Sequence, residues 1–313
     1  MSILSKPHFH DEQAAFEHLE EVLWSGEPVC PHCGSINNAT KLQGKATRMG
    51  VWKCKDRYCR KQFTVKVGTV FEHGRIPLHK MLQAVHLMAS SKKGISAHQL
   101  HRILEIQYKS AWFLAHRIRE AMASGDLSPF GSAGGAVEVD ETFIGNDRTI
   151  KPKGQKRGRG FHHKHKVLAL VDRDTGKARS MVVDDLKAST LGPIVMENVA
   201  REARLMTDEA SYYTLVGRQF AEHGVVHHNR GEYGRGDIGT NTIEGYFSIF
   251  KRGMKGVYQH CSKKHLHRYL AEYDFRYNHR AALQIDDTAR ADAALKGVVG
   301  KHLTYRIPDR ATA

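Results

Sequence analysis

Apolar residues recur at helical spacing over 11–25 and again from 77 to 122, and strand-like runs begin beyond 136. Between positions 11 and 25, Ala15, Phe16, Leu19, Val22 and Leu23 form a stripe of 3.6-residue period, which predicts a short amphipathic helix. The helical period returns in three pieces over 78–90, 96–104 and 109–122. Gly94 stops the first piece and Ser96 is placed to cap the second, while Ile95, Leu100, Ile103 and Leu104 are spaced for burial. The third piece offers Ala111, Trp112, Leu114, Ala115 and Ile118 to a core and Lys109, His116, Arg117 and Arg119 to solvent. This predicts a helix-turn-helix over 76–123 with the third helix entering a major groove, although a plain three-helix bundle shares the pattern.

Residues 124–136 are rich in glycine and serine and read as a linker. After it, strand-like runs at 137–144, 166–171 and 180–183 precede a helical run at 190–203 and a short strand at 204–207 ending on an acid. Three strands, a helix and a further strand predict an α/β layer of the ribonuclease H type, a mixed sheet with flanking helices. Helical spacing of Leu266, Tyr269, Leu270 and Tyr273 closes a domain over 137–280. Residues 281–313 are weakly patterned and read as a tail that wraps the domain or joins two copies.

Composition narrows the partners. The 48 Lys and Arg against 33 Asp and Glu leave a net charge of +15, a field that attracts polyanions. The basic residues cluster: the acid-free run 151–166 contains Lys153, Lys156, Arg157 and Arg159, and Lys92, Lys93 and Arg252 stand beside other motifs. No apolar stretch approaches the ~20 residues of a membrane span, and the start lacks a signal-peptide core, so a soluble cytoplasmic protein is expected.

Four of the five cysteines form two pairs, Cys30/Cys33 and Cys54/Cys59, twenty residues apart. Two close pairs separated by one hairpin of chain predict a zinc ribbon over 28–75, in which four thiolates close a tetrahedral structural site. Gly34 suits the turn after the first pair, and Trp52 and Phe63 are placed to cover the metal. The second pair is wider, with four intervening residues; His32 is a spare donor that reads as solvent-facing, and Cys261 as a packed residue.

Three dispersed carboxylates, each at the edge of an apolar run, are the donors needed to hold divalent cations on a phosphodiester. Asp140 lies within the 137–144 strand, on the face of Glu138 and Thr142 and opposite Val137, Val139 and Phe143; Glu138 and Glu141 are its alternatives. Asp208 ends the 204–207 strand, where open α/β sheets place ligands, with Glu209 beside it and a helix cap as the other role. Glu244 follows after 35 intervening residues, and Lys251 seven positions later shares its helix flank beside the stripe Ile243, Phe247, Phe250, Met254. If Asn241 is the N-cap, Glu244 falls at the third helical position, where it would be a capping-box glutamate.

With Cys30-Pro31-His32-Cys33, Val67-Gly68-Thr69-Val70-Phe71, Val139-Asp140-Glu141-Thr142-Phe143, Asn241-Thr242-Ile243-Glu244-Gly245, Lys251-Arg252-Gly253 and Arg276-Tyr277-Asn278 in order, the chain resembles the bacterial insertion-sequence transposases of the ISXO-like group. The resemblance implies Asp140 and Asp208 as the two aspartates, Glu244 as the third acid and Lys251 as the basic partner, with Asn241 in play because some members place asparagine in the third role. The expected activity is metal-dependent 3′-strand cleavage and strand transfer at terminal inverted repeats, with two Mg²⁺ or Mn²⁺ ions, of which Asp140 bridges both. A structural Zn²⁺, double-stranded DNA of element ends and target, and a homodimer or higher multimer complete the expectation. A regulator that binds DNA through its ribbon and helix-turn-helix, with an inactive nuclease-like domain, is the alternative.

Overall fold

The computed structural model describes residues 2–44, 46–146, 163–232 and 234–304, in two compact units. The basic residues Lys153, Lys156, Arg157 and Arg159 lie outside the described residues.

The first unit comprises residues 1–91, 95–123 and 285–313. It opens with helix α1 (Glu12–Trp24), capped by the Asp11 carboxylate accepting from Ala14 N–H at 2.7 Å. Strands β1 (Ala39–Lys41), β2 (Trp52–Cys54) and β3 (Gln62–Phe63) form a small antiparallel sheet in that order. Helices α2 (Leu78–Ser90), α3 (Ala97–Leu104) and α4 (Tyr108–Met122) follow within two residues of the expected bounds, and Ser96 caps α3 by accepting from Gln99 N–H. Leu100 and Leu104, one turn apart, are buried, whereas Ile103 on the flank of this two-turn helix is 47% exposed, against the expectation that it packs.

The reading of 281–313 as a tail is corrected by its packing. Its last described helix, Asp287–Lys296, lies against α1, α2 and α4, and Val70 N–H donates to the Val298 carbonyl at 3.1 Å. Lys301 then donates to the carbonyls of Ala121 and Ala123 at the end of α4, a cation at the negative end of a helix. The three helices α2–α4 are therefore enclosed on more sides than their own sequence suggests. His116 and Arg119, expected on the solvent face of α4, are 1% and 3% exposed. Arg117 is half-buried, stacked on Phe113 and donating to the Glu72 carbonyl at 2.9 Å. Of the α4 cations expected to face DNA only Lys109 is exposed, because α2, α3 and the C-terminal helix together cover the rest.

The second unit, residues 92–94 and 124–284, is built on a five-stranded sheet. Strands β4 (Ala136–Ile144), β5 (His165–Asp172) and β6 (Ala178–Val183) are antiparallel; β7 (Arg204–Asp208) adds parallel to β4, and β8 (Glu222–Val226) adds parallel to β7. The order β6-β5-β4-β7-β8 is the mixed sheet of the ribonuclease H type. Between β6 and β7 runs α5 (Ala188–Asn198), shorter than expected because Val199 leaves the helix to bridge to Phe130. That bridge also corrects the linker reading of 124–136, since Phe130 is buried in the core of this unit.

Strand alternation builds two cores from one sheet. Val137, Val139, Leu168 and Leu170 face α5 and the short helix α6 (Tyr213–Gly217), whereas Val167, Ala169 and Val171 face the helices after β8. After β8 come the hairpin strands β9 (Gly234–Arg235) and β10 (Ile238–Gly239), then α7 (Asn241–Gly253) and α8 (Lys263–Asn278). The expected stripe is the buried one: Ile243, Phe247, Phe250 and Met254 all pack against the sheet or α8. At Gly253 the approach is so close that a Cβ would stand 1.7 Å from the Tyr273 hydroxyl, which donates to the Lys93 carbonyl.

One buried carboxylate ties sheet to helix. Glu138 is fully enclosed; one oxygen accepts from Arg173 Nε at 2.6 Å and the other from the backbone N–H of Ile243 at 2.8 Å, in the first turn of α7. Removing its charge partner strands a buried ion, so Arg173→Ala is expected to cost about 3–5 kcal/mol in urea unfolding. A loss below 1 kcal/mol would show that the pair is dispensable.

Candidate active site and metal centre

The cysteines meet as their spacing predicts. Cys30 Sγ is 3.8 Å from Cys59 Sγ and Cys33 Sγ is 3.7 Å from Cys54 Sγ, with all four within 4.8 Å of one another. Sulfurs about 2.3 Å from one zinc ion at tetrahedral angles stand roughly 3.8 Å apart, so the donor set fits Zn²⁺. Each pair ends in a left-handed residue, Gly34 at φ 75° and Arg60 at φ 52°. Gly34 N–H returns to the Cys30 carbonyl at 2.9 Å and Arg60 N–H to that of Asp56 at 3.1 Å. The second turn therefore closes on Asp56 rather than on Cys54, and the two extra residues are absorbed at the surface, where Tyr58 is 87% exposed. The Ser35 hydroxyl, and then its backbone amide, lower Cys33 to about 7, whereas Cys59, although it accepts from the Lys61 amide, is raised by burial and by the neighbouring Cys33 and Cys30. Phe63, Trp52 and Trp24 cover the cluster, while His32 is exposed.

In the sheet, the β4–β7 ladder ends at Glu138 paired with Met206, and two residues further on Asp140 and Asp208 come level on neighbouring strands. The carboxylates of Asp140, Glu141 and Asp208 lie within 4.8 Å of one another. Asp140 is on the α7 side and Glu141 on the α6 side, where the buried Tyr213 hydroxyl donates to Glu141 Oε2 at 2.7 Å. Burial, and then the Glu141 charge, push Asp140 up to about 8; burial pushes Glu141 up to about 7 and raises Asp208 as well. Among the described residues no Lys or Arg pairs with any of the three. Clustered carboxylates with no ion-paired Lys or Arg are the oxygen donor set that hard divalent cations complete.

The other candidates surround this cluster. Glu209 is turned away and accepts from the backbone N–H groups of His228 and Asn229, which separates its role from that of Asp208. Asp208 itself accepts from Ala210 N–H at 3.0 Å, so a turn-capping contact coexists with its place in the cluster. The capping-box expectation for Glu244 is corrected: Thr240, not Asn241, flanks the helix, which makes Glu244 the fourth helical residue, and its carboxylate meets the Thr240 hydroxyl at 3.4 Å. Glu244 stands outside the close cluster, 47% exposed, with Thr240 Oγ1 at 3.4 Å and His228 Nε2 at 3.6 Å from Oε1, although its charge still raises Asp140. Asn241 is exposed at the helix start. Lys251 is half-buried over the Phe247 ring, its pKa lowered by burial and raised in turn by Asp140 and Glu244. Lys92, Lys93, Lys109 and Arg252 are exposed.

Sequence reasoning undervalued Glu141 and missed His228. Glu141 has a signal in hindsight, an acid directly beside Asp140 in an apolar strand; His228, in a loop after an unpredicted strand, has none. Two quoted motif residues are scaffolding: Arg276 pairs with Glu272 inside α8, and Asn278 brackets Ala178 with hydrogen bonds to both its carbonyl and its N–H, closing the β6 edge.

A ribonuclease H-like sheet with acids at the ends of its central strands, in one chain with a four-cysteine ribbon, defines the DDE class of transposase domain architecture. Residues 132–278 match the ISXO2-like transposase domain and residues 10–62 the transposase zinc-ribbon domain. A Halobacterium salinarum relative, described as an uncharacterized protein in transposable element ISH50, is 26% identical over 280 residues, covering 86% of this chain and 91% of its own. The chain thus carries an ISXO2-like transposase domain and a transposase zinc-ribbon domain. Among the described residues no helix is long and apolar enough to cross a membrane.

Proposed function

We propose that this transposase binds the terminal inverted repeats of its element, cleaves the 3′ strand with water and joins the new 3′ hydroxyl to target DNA. The observation that carries this reading is the level placement of Asp140 and Asp208 on adjacent strands with Glu141 in reach, three acids with no Lys or Arg ion pair among the described residues. Asp140, Glu141 and Asp208 would hold Mg²⁺ or Mn²⁺, with Glu244 completing the set from α7. When bound, such ions neutralise charge on the attacking and leaving oxygens of an in-line displacement.

The chain's own groups do the positioning. Tyr213 orients Glu141 through its hydroxyl. Lys251, held over Phe247 on the flank that Glu244 shares, presents a point charge to a phosphate next to the scissile one. His228 and Thr240 restrain Glu244 at the site's edge. Exposed Lys92, Lys93, Lys109 and Arg252 contribute phosphate contacts, each adding about one unit to the salt slope of DNA binding. A multimer on two element ends follows from the need to cut and join at both.

Incubating the full chain with labelled element ends in Mg²⁺ or Mn²⁺ is expected to give 3′ nicks and, with plasmid added, joined products. Nicks without joining would reduce the activity to that of a nuclease. No nicking in either metal would favour the DNA-binding regulator.

A further inference from the structure

Beside Lys251 the second unit contains a cavity of about 430 Å³ that the reading above leaves without a role. Its apolar lining is Ile144 at the end of β4, Met254 just after α7 and Leu266 of α8, which share one core cluster. Among the described residues that line it, Lys164, Lys251 and Lys255 are cationic and none is acidic. Lys255 and Lys164 both oppose the charge on Lys251, so three ammonium groups converge on the cavity, while Asp140 acts on Lys251 from outside it. A flat apolar recess with a positive rim fits a base and its phosphates better than a phosphate alone.

The backbone at the mouth is strained. Met254–Tyr258 forms a π-helical turn, closed by Gln259 N–H onto the Met254 carbonyl at 2.8 Å. Gln259 then sits at φ 55°, ψ −54°, and His260 N–H reaches the Tyr258 carbonyl, the rare γ-turn geometry. Such strain costs free energy and is retained where it places a group for use. Here it brings a primary amide to the cavity lining, a donor and acceptor pair suited to a base edge.

We propose that this cavity takes one unpaired nucleotide of the DNA strand at the catalytic site, its base against Ile144, Met254 and Leu266, its edge read by Gln259, and its flanking phosphates on Lys164 and Lys255. The proposal rests on the transposase reading for its source of DNA. It explains why cationic and apolar residues are combined at the C-terminal end of α7, where phosphate binding alone needs only the cations. An extruded base is costly to unpair, so strand ends and frayed termini are its natural supply.

The test is equilibrium binding of labelled six-nucleotide single strands to the full chain without magnesium, comparing strands that carry an internal base with strands abasic at that position. Wild type is expected to bind the base-containing strand about tenfold tighter, the scale of one stacked base. Cys261→Trp, which fills the cavity from its lining, is expected to abolish that difference while duplex binding and the unfolding midpoint hold. Gln259→Leu, an independent variant with no large side chain to accommodate, is expected to keep the affinity for base-containing strands but lose preference among the four bases. Equal affinity of wild type for abasic and base-containing strands overturns the proposal, as does a base effect that persists unchanged in Cys261→Trp. A Lys255→Glu loss equal for both strands, with no base effect in wild type, would make the cavity a phosphate site only and overturn it too. Because the assay needs no cleavage, absent nicking with an intact base effect sinks the catalytic reading alone, and normal nicking without a base effect sinks this inference alone.

Discussion

Asp208→Asn is expected to lower metal-dependent cleavage of element ends by at least about a thousandfold while leaving their binding nearly unchanged, measured by gel assay and by anisotropy on the same protein. Losing one oxygen donor removes several kcal/mol of charge stabilisation at the reacting phosphate, and each 1.36 kcal/mol is a factor of ten. The fold should not suffer, since Asp208 is one of three acids that repel one another and its local contact, with Ala210 N–H, is one an asparagine oxygen can keep. Parallel loss of binding and of the unfolding transition would instead assign Asp208 to capping.

The same cluster has a pH signature. The Asp140 carboxyl is raised to about 8 in the folded chain, mainly by burial, against an ordinary value near 4. Its contribution is therefore fully present below the unfolded value and lost as pH rises through about 8, so without added magnesium the second unit loses stability between those limits. The effect is on the order of a few kcal/mol, and Asp140→Asn is expected to flatten it. Urea midpoints at pH 5 and pH 8, with zinc retained, read this out. A midpoint that rises with pH in wild type contradicts the crowding of these acids.

The second large effect concerns the ribbon. Removing zinc, or replacing Cys54 with serine, is expected to unfold the β1–β3 sheet, because zinc binding by four thiolates is worth about 10–16 kcal/mol, comparable with the entire stability of a domain. Apart from the bonds of Lys41 and Trp52 to Glu20 of α1, little else ties that sheet down: its strands are two or three residues long, and its apolar cluster is organised around Cys30, Cys54 and Phe63. Trp24 and Trp52 lie edge-to-face at 5.7 Å against this cluster, so their fluorescence reports its loss directly. Chelated protein whose tryptophan emission and amide protection stay native would rule out the four-thiolate site.

Legibility followed the range of the interactions. The cysteine knuckles, the α3 cap at Ser96 and the buried stripe of α7 depend on neighbours within a few residues, and each was readable from spacing. Arg119 was misread because a helix's solvent face is decided by what packs on it, and the covering helix is more than 160 residues away in sequence. The capping-box role weighed for Glu244 took Asn241 as the N-cap, whereas the helix starts one residue earlier, and its first-turn amide at Ile243 is taken by Glu138, 105 residues earlier. Strand β8 escaped notice because Glu222-His223-Gly224-Val225-Val226 has too little alternation to stand out, and it is a strand by virtue of pairing with β7.

By itself the sequence determined the order of parts, the four zinc donors and the two aspartates at strand positions, since each rests on periodicity or spacing that survives without knowledge of distant contacts. Only the tertiary structure decided which acids meet. The parallel pairing of β4 with β7 brings Asp208 level with Asp140, and Tyr213 turns Glu141 toward them, whereas Glu244 is held back by Thr240 and His228. Strand register and helix packing set those distances, and both are properties of residues that the chain separates and the fold brings together.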